Sequence, residues 1–260
     1  MRPLFSVTTT SFALACLVSG CALAAESPDE LAGAADSVEA LDGHTASAAG
    51  DAFTYFKLTA DLRRCASPLC GGWFVGQLNR STTTCHDGQQ AAECYAPTFD
   101  WTEAHLTGTQ QSELLDASRE AAVGGGVRAI VRGRFAARNT TTPRPELGAF
   151  VVTEGWVAEN DAISKGVFVK VKDNGIRCFA APCASLTEWT LNTSQIVKIA
   201  NVDFTPAGLS DAQLEDSRAQ MVSPDGLLVA GDRYTVNVDG RTAPGRTATA
   251  AYRRLPDAAQ

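Results

Sequence analysis

Apolar and aromatic residues crowd into short runs along most of this chain. Phe53 to Leu58, Gly71 to Leu78 and Tyr95 to Trp101 are rich in aromatic and β-branched residues, and Cys, Asn, Gly or Pro residues separate them. Runs of this length with such punctuation predict strands. Thr107-Gly108-Thr109-Gln110 and Ser210-Asp211-Ala212-Gln213 then fit a capping box, in which the hydroxyl accepts an orphan amide and the Gln side chain reaches back, so each predicts the start of a short helix. Beyond Gly124-Gly125-Gly126, which reads as a helix stop, Val127 to Phe135 and Phe150 to Val157 are again strand-like. Beyond Pro224-Asp225-Gly226, so are Leu227 to Val236 and Thr247 to Arg253.

The same pattern occurs twice, because the chain repeats itself. Tyr55-Phe56-Lys57-Leu58 reappears as Phe168-Val169-Lys170-Val171, Arg64-Cys65 as Arg177-Cys178, Cys70 as Cys183, and Leu78-Asn79 as Leu191-Asn192. Farther on, Phe99-Asp100-Trp101-Thr102 matches Val202-Asp203-Phe204-Thr205. The first copy is longer by the segment around Cys85 to Cys94. The expected fold is mainly β with a minor α component: two tandem antiparallel β domains, residues 53–158 and 159–256, each in the order β-β-β-α-β-β. That is the order of small five-stranded barrels of the oligonucleotide/oligosaccharide-binding (OB) type, although another small antiparallel sheet fits it as well.

The N-terminus has a different pattern. Arg2 precedes a short apolar run, Phe12 to Val18, which is too short to span a bilayer, and residues 1–20 read as a secretion signal. Val18-Ser19-Gly20-Cys21 resembles a lipobox, which would make Cys21 the acylated N-terminus and anchor the chain in a membrane; a plain cut after Ala22-Leu23-Ala24 is the competing reading. Residues 21–52 have no hydrophobic periodicity, and Glu26 to Asp51 carries seven acidic residues and no Lys or Arg, as in a solvated tether. The formal charge of −7 therefore resides in that tether, leaving a near-neutral body without the basic field that nucleic-acid binding needs. These features predict the bacterial cell envelope, with the outer membrane as the leading location and the periplasm or medium as alternatives.

With Cys16 removed and Cys21 acylated, six of the eight cysteines remain. Cys178 and Cys183 stand alone in the second copy and most simply pair with each other, so their counterparts Cys65 and Cys70 should do the same, leaving Cys85 for Cys94. His86-Asp87-Gly88 between the last two suits a hairpin turn. An oxidising envelope and the Cys-x4-Cys spacing favour disulfides over zinc or redox use, and neither a metal nor any other cofactor is expected.

The chemistry that remains is sparse. No nucleophile elbow, zinc-protease helix, phosphate loop or dinucleotide fingerprint is present, and no catalytic residue is assigned. Asp100 and Asp203 are matched before the helices and read as caps of strand-to-helix corners. His105 stands where the second copy has Gly208, and Arg128, Arg132 and Arg134 share one face of a strand. The Pro-bearing loops, through Ser67, Pro68, Leu69, Ala181 and Pro182, are the candidate contacts for a protein or glycan partner. The expected function is a non-enzymatic binding or structural module; a protease inhibitor acting through a disulfide-tied loop and a hydrolase using Asp100 or Asp203 are the alternatives. Arg64-Cys65-Ala66-Ser67-Pro68-Leu69-Cys70-Gly71-Gly72-Trp73-Phe74-Val75, Ala92-Glu93-Cys94-Tyr95 and Lys172-Asp173-Asn174-Gly175-Ile176-Arg177-Cys178 resemble an uncharacterised family of predicted bacterial lipoproteins with a domain of unknown function. The resemblance covers about residues 54 to 253. It implies export and duplicated cysteine loops, and it carries no activity.

Overall fold

A computed structural model describes residues 54–136 and 148–258; the signal, Cys21 and the acidic tether lie outside them. In the first copy the strands are β1 (Thr54–Ala60), β2 (Trp73–Gln77), the small hairpin β3 (Thr83–Thr84) and β4 (Gln90–Ala91), β5 (Cys94–Ala96) and β6 (Phe99–Asp100). Helix α1 (Gly108–Gly124) follows, then β7 (Ala129–Phe135) and β8 (Phe150–Ala158). The second copy has β9 (Val167–Asp173), β10 (Leu186–Thr190), β11 (Ile196–Ile199), β12 (Val202–Asp203), α2 (Asp211–Val222), β13 (Leu227–Val238) and β14 (Arg241–Arg254). With 42% strand against 16% helix, the protein is mainly β. Both helices start at the anticipated capping boxes, Thr107 with Gln110 and Ser210 with Gln213.

The expected barrels do not close. The main sheet runs β11-β10-β9-β13-β14-β8-β7-β1-β2-β5, with β6 on β8 and β12 on β14, both parallel. The third strand of each copy is thus split between two neighbours. β5 pairs with β2, and after an interruption at Pro97-Thr98 β6 pairs with β8; in the second copy β11 pairs with β10, and beyond Ala200-Asn201 β12 pairs with β14. A proline has no amide to give to a ladder, and the two-residue parallel contacts are too short to complete a ring.

The duplication extends to irregular features. In β7·β8 the register slips between Arg132 and Gly133, skipping Thr153, and in β13·β14 it slips between Ala230 and Gly231, skipping Thr249. Each skipped threonine donates its hydroxyl to the opposite carbonyl, Thr153 to Arg132 and Thr249 to Ala230, at 3.1 Å in both cases. A Cβ on Gly133 would stand 2.3 Å from the Val151 oxygen, and one on Gly231 1.8 Å from the Thr247 oxygen, so each bulge requires glycine.

The two copies share one sheet through their last strands. β14 pairs antiparallel with β8, matching Tyr252 to Ala158, Arg253 to Val157 and Arg254 to Trp156, an arrangement symmetric about the Val157–Arg253 pair. Each copy keeps its own core, around Leu58, Val131 and Phe150 in the first and around Val171, Ile199 and Leu227 in the second. A third core joins them and takes Leu78, Ile130 and Trp156 from one copy and Leu191, Leu228 and Tyr252 from the other.

Candidate functional site

The first cysteine loop follows β1. Its sulfur atoms, Cys65 and Cys70, lie 2.18 Å apart, and the Ser67–Pro68 peptide is cis. The loop is tied down along its length. The buried Asp61 carboxylate accepts from the Arg63 side chain at 2.9 Å, and this bond holds its pKa below the usual carboxylate value. The Arg63 guanidinium in turn lies over the rings of Phe74 and Tyr95. The Tyr95 hydroxyl donates to the Pro68 carbonyl at 2.8 Å and accepts from the Gly72 amide at 3.2 Å. Cys70 is buried, Pro68 partly buried, and Leu69 half-exposed.

The second loop joins β9 to β10. Cys178 and Cys183 have sulfurs 2.16 Å apart, and the Ala181–Pro182 peptide is cis. Its base is held by side chains. Asp173 accepts from the Gly175 amide at 2.7 Å and from both terminal nitrogens of Arg177 at 3.1 and 3.0 Å, which lowers its pKa. Asn174 accepts from the Ile176 amide and donates to the Ala184 carbonyl. Among the described residues no comparable side-chain tether holds Phe179, which is fully exposed (112% of the reference area). Phe179 occupies the place of Ala66 in the first loop. Ala181 is exposed and Pro182 partly buried, so of the two loops' candidate contacts the aromatic one is the residue sequence reasoning passed over. The signal was an unmatched aromatic between two matched cysteines.

The sulfurs of Cys85 and Cys94 are 1.95 Å apart, but Cys85 opens the turn of the hairpin β3–β4, where its amide donates to the Gln89 carbonyl, and Cys94 begins β5, so the bridge ties the turn end of the hairpin to β5 instead of closing its base. Among the described residues no group of three or more His, Cys, Asp or Glu is placed to hold a metal ion. Asp100 and Asp203 serve as corner caps, each accepting from the amide two residues on, Thr102 at 3.0 Å and Thr205 at 2.9 Å. The Thr102 and Thr205 hydroxyls, and after them these amides, lower both carboxyl pKa values. Each is engaged in its own copy, and nothing draws the two toward a shared reacting centre. His105 is exposed at φ 50°, and its counterpart Gly208 has φ 63°; the corner requires a left-handed residue. Arg132 and Arg134 of β7, and Arg128 just before it, each meet a carboxylate: Arg128 with Asp161, Arg132 with Glu154 and Arg134 with Glu103.

Sequence reading missed two polar features. At the junction of the copies, Asn79 donates to the carbonyls of Phe168 and Leu191 and accepts from the Phe168 amide. Asn192 does the same to Tyr55 and Leu78, so each copy caps the other. Beside them an open cleft of about 420 Å³ is lined by the Lys57–Glu93 ion pair, Arg80 and Phe168. In the second copy, Glu188 is fully buried and accepts from Arg246 and Arg233.

No curated protein and no solved structure matches this chain. A family model does match residues 54–254, from the start of β1 to the end of β14 and so across both copies, and on that match the chain belongs to the family described as a domain of unknown function, DUF6748.

Proposed function

We propose that this chain is an exported bacterial envelope lipoprotein, anchored through Cys21, that acts as a non-enzymatic binding module and takes a protein partner on the Cys178–Cys183 loop. The lipobox-like Val18-Ser19-Gly20-Cys21 and the acidic stretch from Glu26 to Asp51 support the anchor and a spacer that holds the body clear of the membrane. The observation that carries the binding reading is Phe179, fully exposed at the tip of a loop whose base is fixed by Asp173, Asn174 and the cysteine pair. A large apolar side chain held out on a stiff loop loses little entropy when it enters a pocket, which is how an interface anchor gains affinity. A protein pocket suits it better than a glycan. A ring that stacks on a sugar lies on a surface with polar groups beside it, whereas Phe179 stands among Ala180, Ala181 and Pro182.

A photoreactive residue placed at position 179, with a second at the exposed Val123 as a control, tests this in the producing cell. The expected result is an adduct specific to position 179, whose purified partner binds the wild-type protein and binds Phe179→Ser at least about tenfold more weakly. Equal labelling at both positions, or unchanged binding of Phe179→Ser, would refute the reading. The same loop geometry suits a protease inhibitor. Stoichiometric, Phe179-dependent inhibition of a protease with an apolar primary pocket would identify the partner as such an enzyme.

A further inference from the structure

The duplication provides an internal control for the buried charges of the second copy. By register, Glu188 pairs with Val171 and Val197, as Val75 pairs with Leu58 and Cys94. Arg246 faces Val202, as Phe150 faces Phe99, and Arg233 lies two residues beyond the Gly231 bulge, as Phe135 lies beyond Gly133. One fold thus fills one layer with Val75, Phe135 and Phe150 in the first copy and with Glu188, Arg233 and Arg246 in the second. The first copy shows that the layer packs without charge, with Phe150 in edge contact with Phe56 and Phe135. Buried ions are costly to desolvate, and apolar residues of similar volume commonly serve stability as well or better. The ionic layer therefore calls for a role besides holding the strands together.

Its charges do not balance. Glu188 accepts from Arg246 Nε at 2.7 Å and from Nη2 on the same edge of that guanidinium, while Arg246 Nη1 donates to the Gly231 carbonyl at 2.6 Å, so each nitrogen of Arg246 has a partner. Arg233 approaches the same carboxylate through Nε and Nη2, both at 2.8 Å, and among the described residues its Nη1 has no hydrogen-bond partner. Two guanidiniums share one carboxylate. The surplus positive charge emerges at Arg233, whose side chain is 33% exposed, whereas those of Arg246 and Glu188 are 2% and 0% exposed.

An open cavity of about 380 Å³ adjoins it, lined by Arg233, Tyr234, Thr235, Thr242, Ala243 and Pro244. In a strand alternate side chains share a face, and the register sets Arg233 opposite Arg246, Thr235 opposite Pro244 and Thr242 opposite Asn237. Arg233, Thr235 and Thr242 therefore line the face that carries the ionic layer. Asp232 and Arg241, at the alternate positions, belong to the opposite face, leaving the site side with two hydroxyls and a guanidinium.

We infer that this cavity is an anion site, which takes a carboxylate or phosphate group on the outward N–H groups of Arg233, with the hydroxyls of Thr235 and Thr242 as further donors. The buried Glu188 and Arg246 act as positioning residues. They fix the Arg233 guanidinium in plane while leaving it net charge, the arrangement in which a planar fork binds an oxyanion best.

The test is an NMR titration of the folded protein with inorganic phosphate and, separately, with acetate, at ionic strength held constant by chloride. The variants are Arg233→Gln, which leaves Glu188 and Arg246 as a balanced pair, and the triple variant Glu188→Val/Arg233→Phe/Arg246→Phe, which installs the first copy's layer. The expected result is a saturable shift of the Thr235 and Thr242 amides in the wild type, weakened about tenfold or more in Arg233→Gln and absent in the folded triple variant. The tighter of the two anions identifies the source as phosphate-like or carboxylate-like. A wild-type response no larger than that to chloride, or one that either variant retains in full, overturns the proposal.

Discussion

At the scale of single residues, the positions that matter most are those where a short side chain replaces a missing backbone partner. Asp100 and Asp203 were readable because their roles are local, each carboxylate meeting an amide two residues along the chain. Asn79 and Asn192 each adopt a left-handed backbone, at φ 58° and 59°, as a turn residue would. Their amide groups nevertheless reach across to the other copy, making three hydrogen bonds apiece to backbone more than 80 positions away. Nothing in the sequence around an asparagine reveals such a distant partner. Removing the side chain leaves one amide and one carbonyl unpaired, while the Phe168 and Tyr55 carbonyls keep the Leu191 and Leu78 amides, so Asn79→Ala and Asn192→Ala should each lower stability by about 2 to 3 kcal/mol. Urea denaturation would measure this as a lower midpoint at unchanged slope; a loss under about 0.5 kcal/mol in either variant would contradict the reciprocal capping.

At the scale of elements, the strands and helices followed their local signals closely. The helices begin where a hydroxyl and a glutamine stand three residues apart, because capping satisfies orphan amides within one turn and needs no distant partner. Thr107→Ala removes the acceptor that receives the Gln110 amide and should cost about 1 kcal/mol, as should Ser210→Ala at the matching position. Thermal unfolding monitored by circular dichroism would show it, with Thr107→Ser close to wild type as the control. The third strands were harder to read. Tyr95 to Trp101 looks like one continuous strand, yet it is shared between β2 and β8 with Pro97 at the break. Which neighbour each half pairs with depends on how the sheet curls, and a proline shows only that a ladder bond will be absent. The two cysteine loops illustrate the same division. Their positions were visible as matched pairs, but whether a loop lies packed, as Pro68 does under Tyr95, or extends into solvent, as Phe179 does, depends on what the neighbouring strand supplies.

At the scale of the whole molecule, the two copies share a sheet and a core. β8 and β14 pair at the junction, and Trp156, Tyr252, Leu78 and Leu191 are buried between the halves. A core contributed by both halves couples their unfolding. Calorimetry should therefore record one cooperative transition, and Trp156→Ala, which opens a cavity in the shared core, should move the whole transition down by about 3 to 5 kcal/mol. Two resolved transitions, only one of which shifts, would show that the halves unfold independently. The sequence by itself determined the duplication, the order of strands and helix in each copy, the capping boxes and which cysteines lie close enough to meet, since all of these are written in local spacing or in the resemblance of one half to the other. Only the tertiary structure decided that the strands leave their barrels unclosed, that the copies cap each other through Asn79 and Asn192, and that one apolar layer is matched by a layer of buried charge. Those outcomes depend on which distant residues become neighbours, and the spacing along the chain does not contain that information.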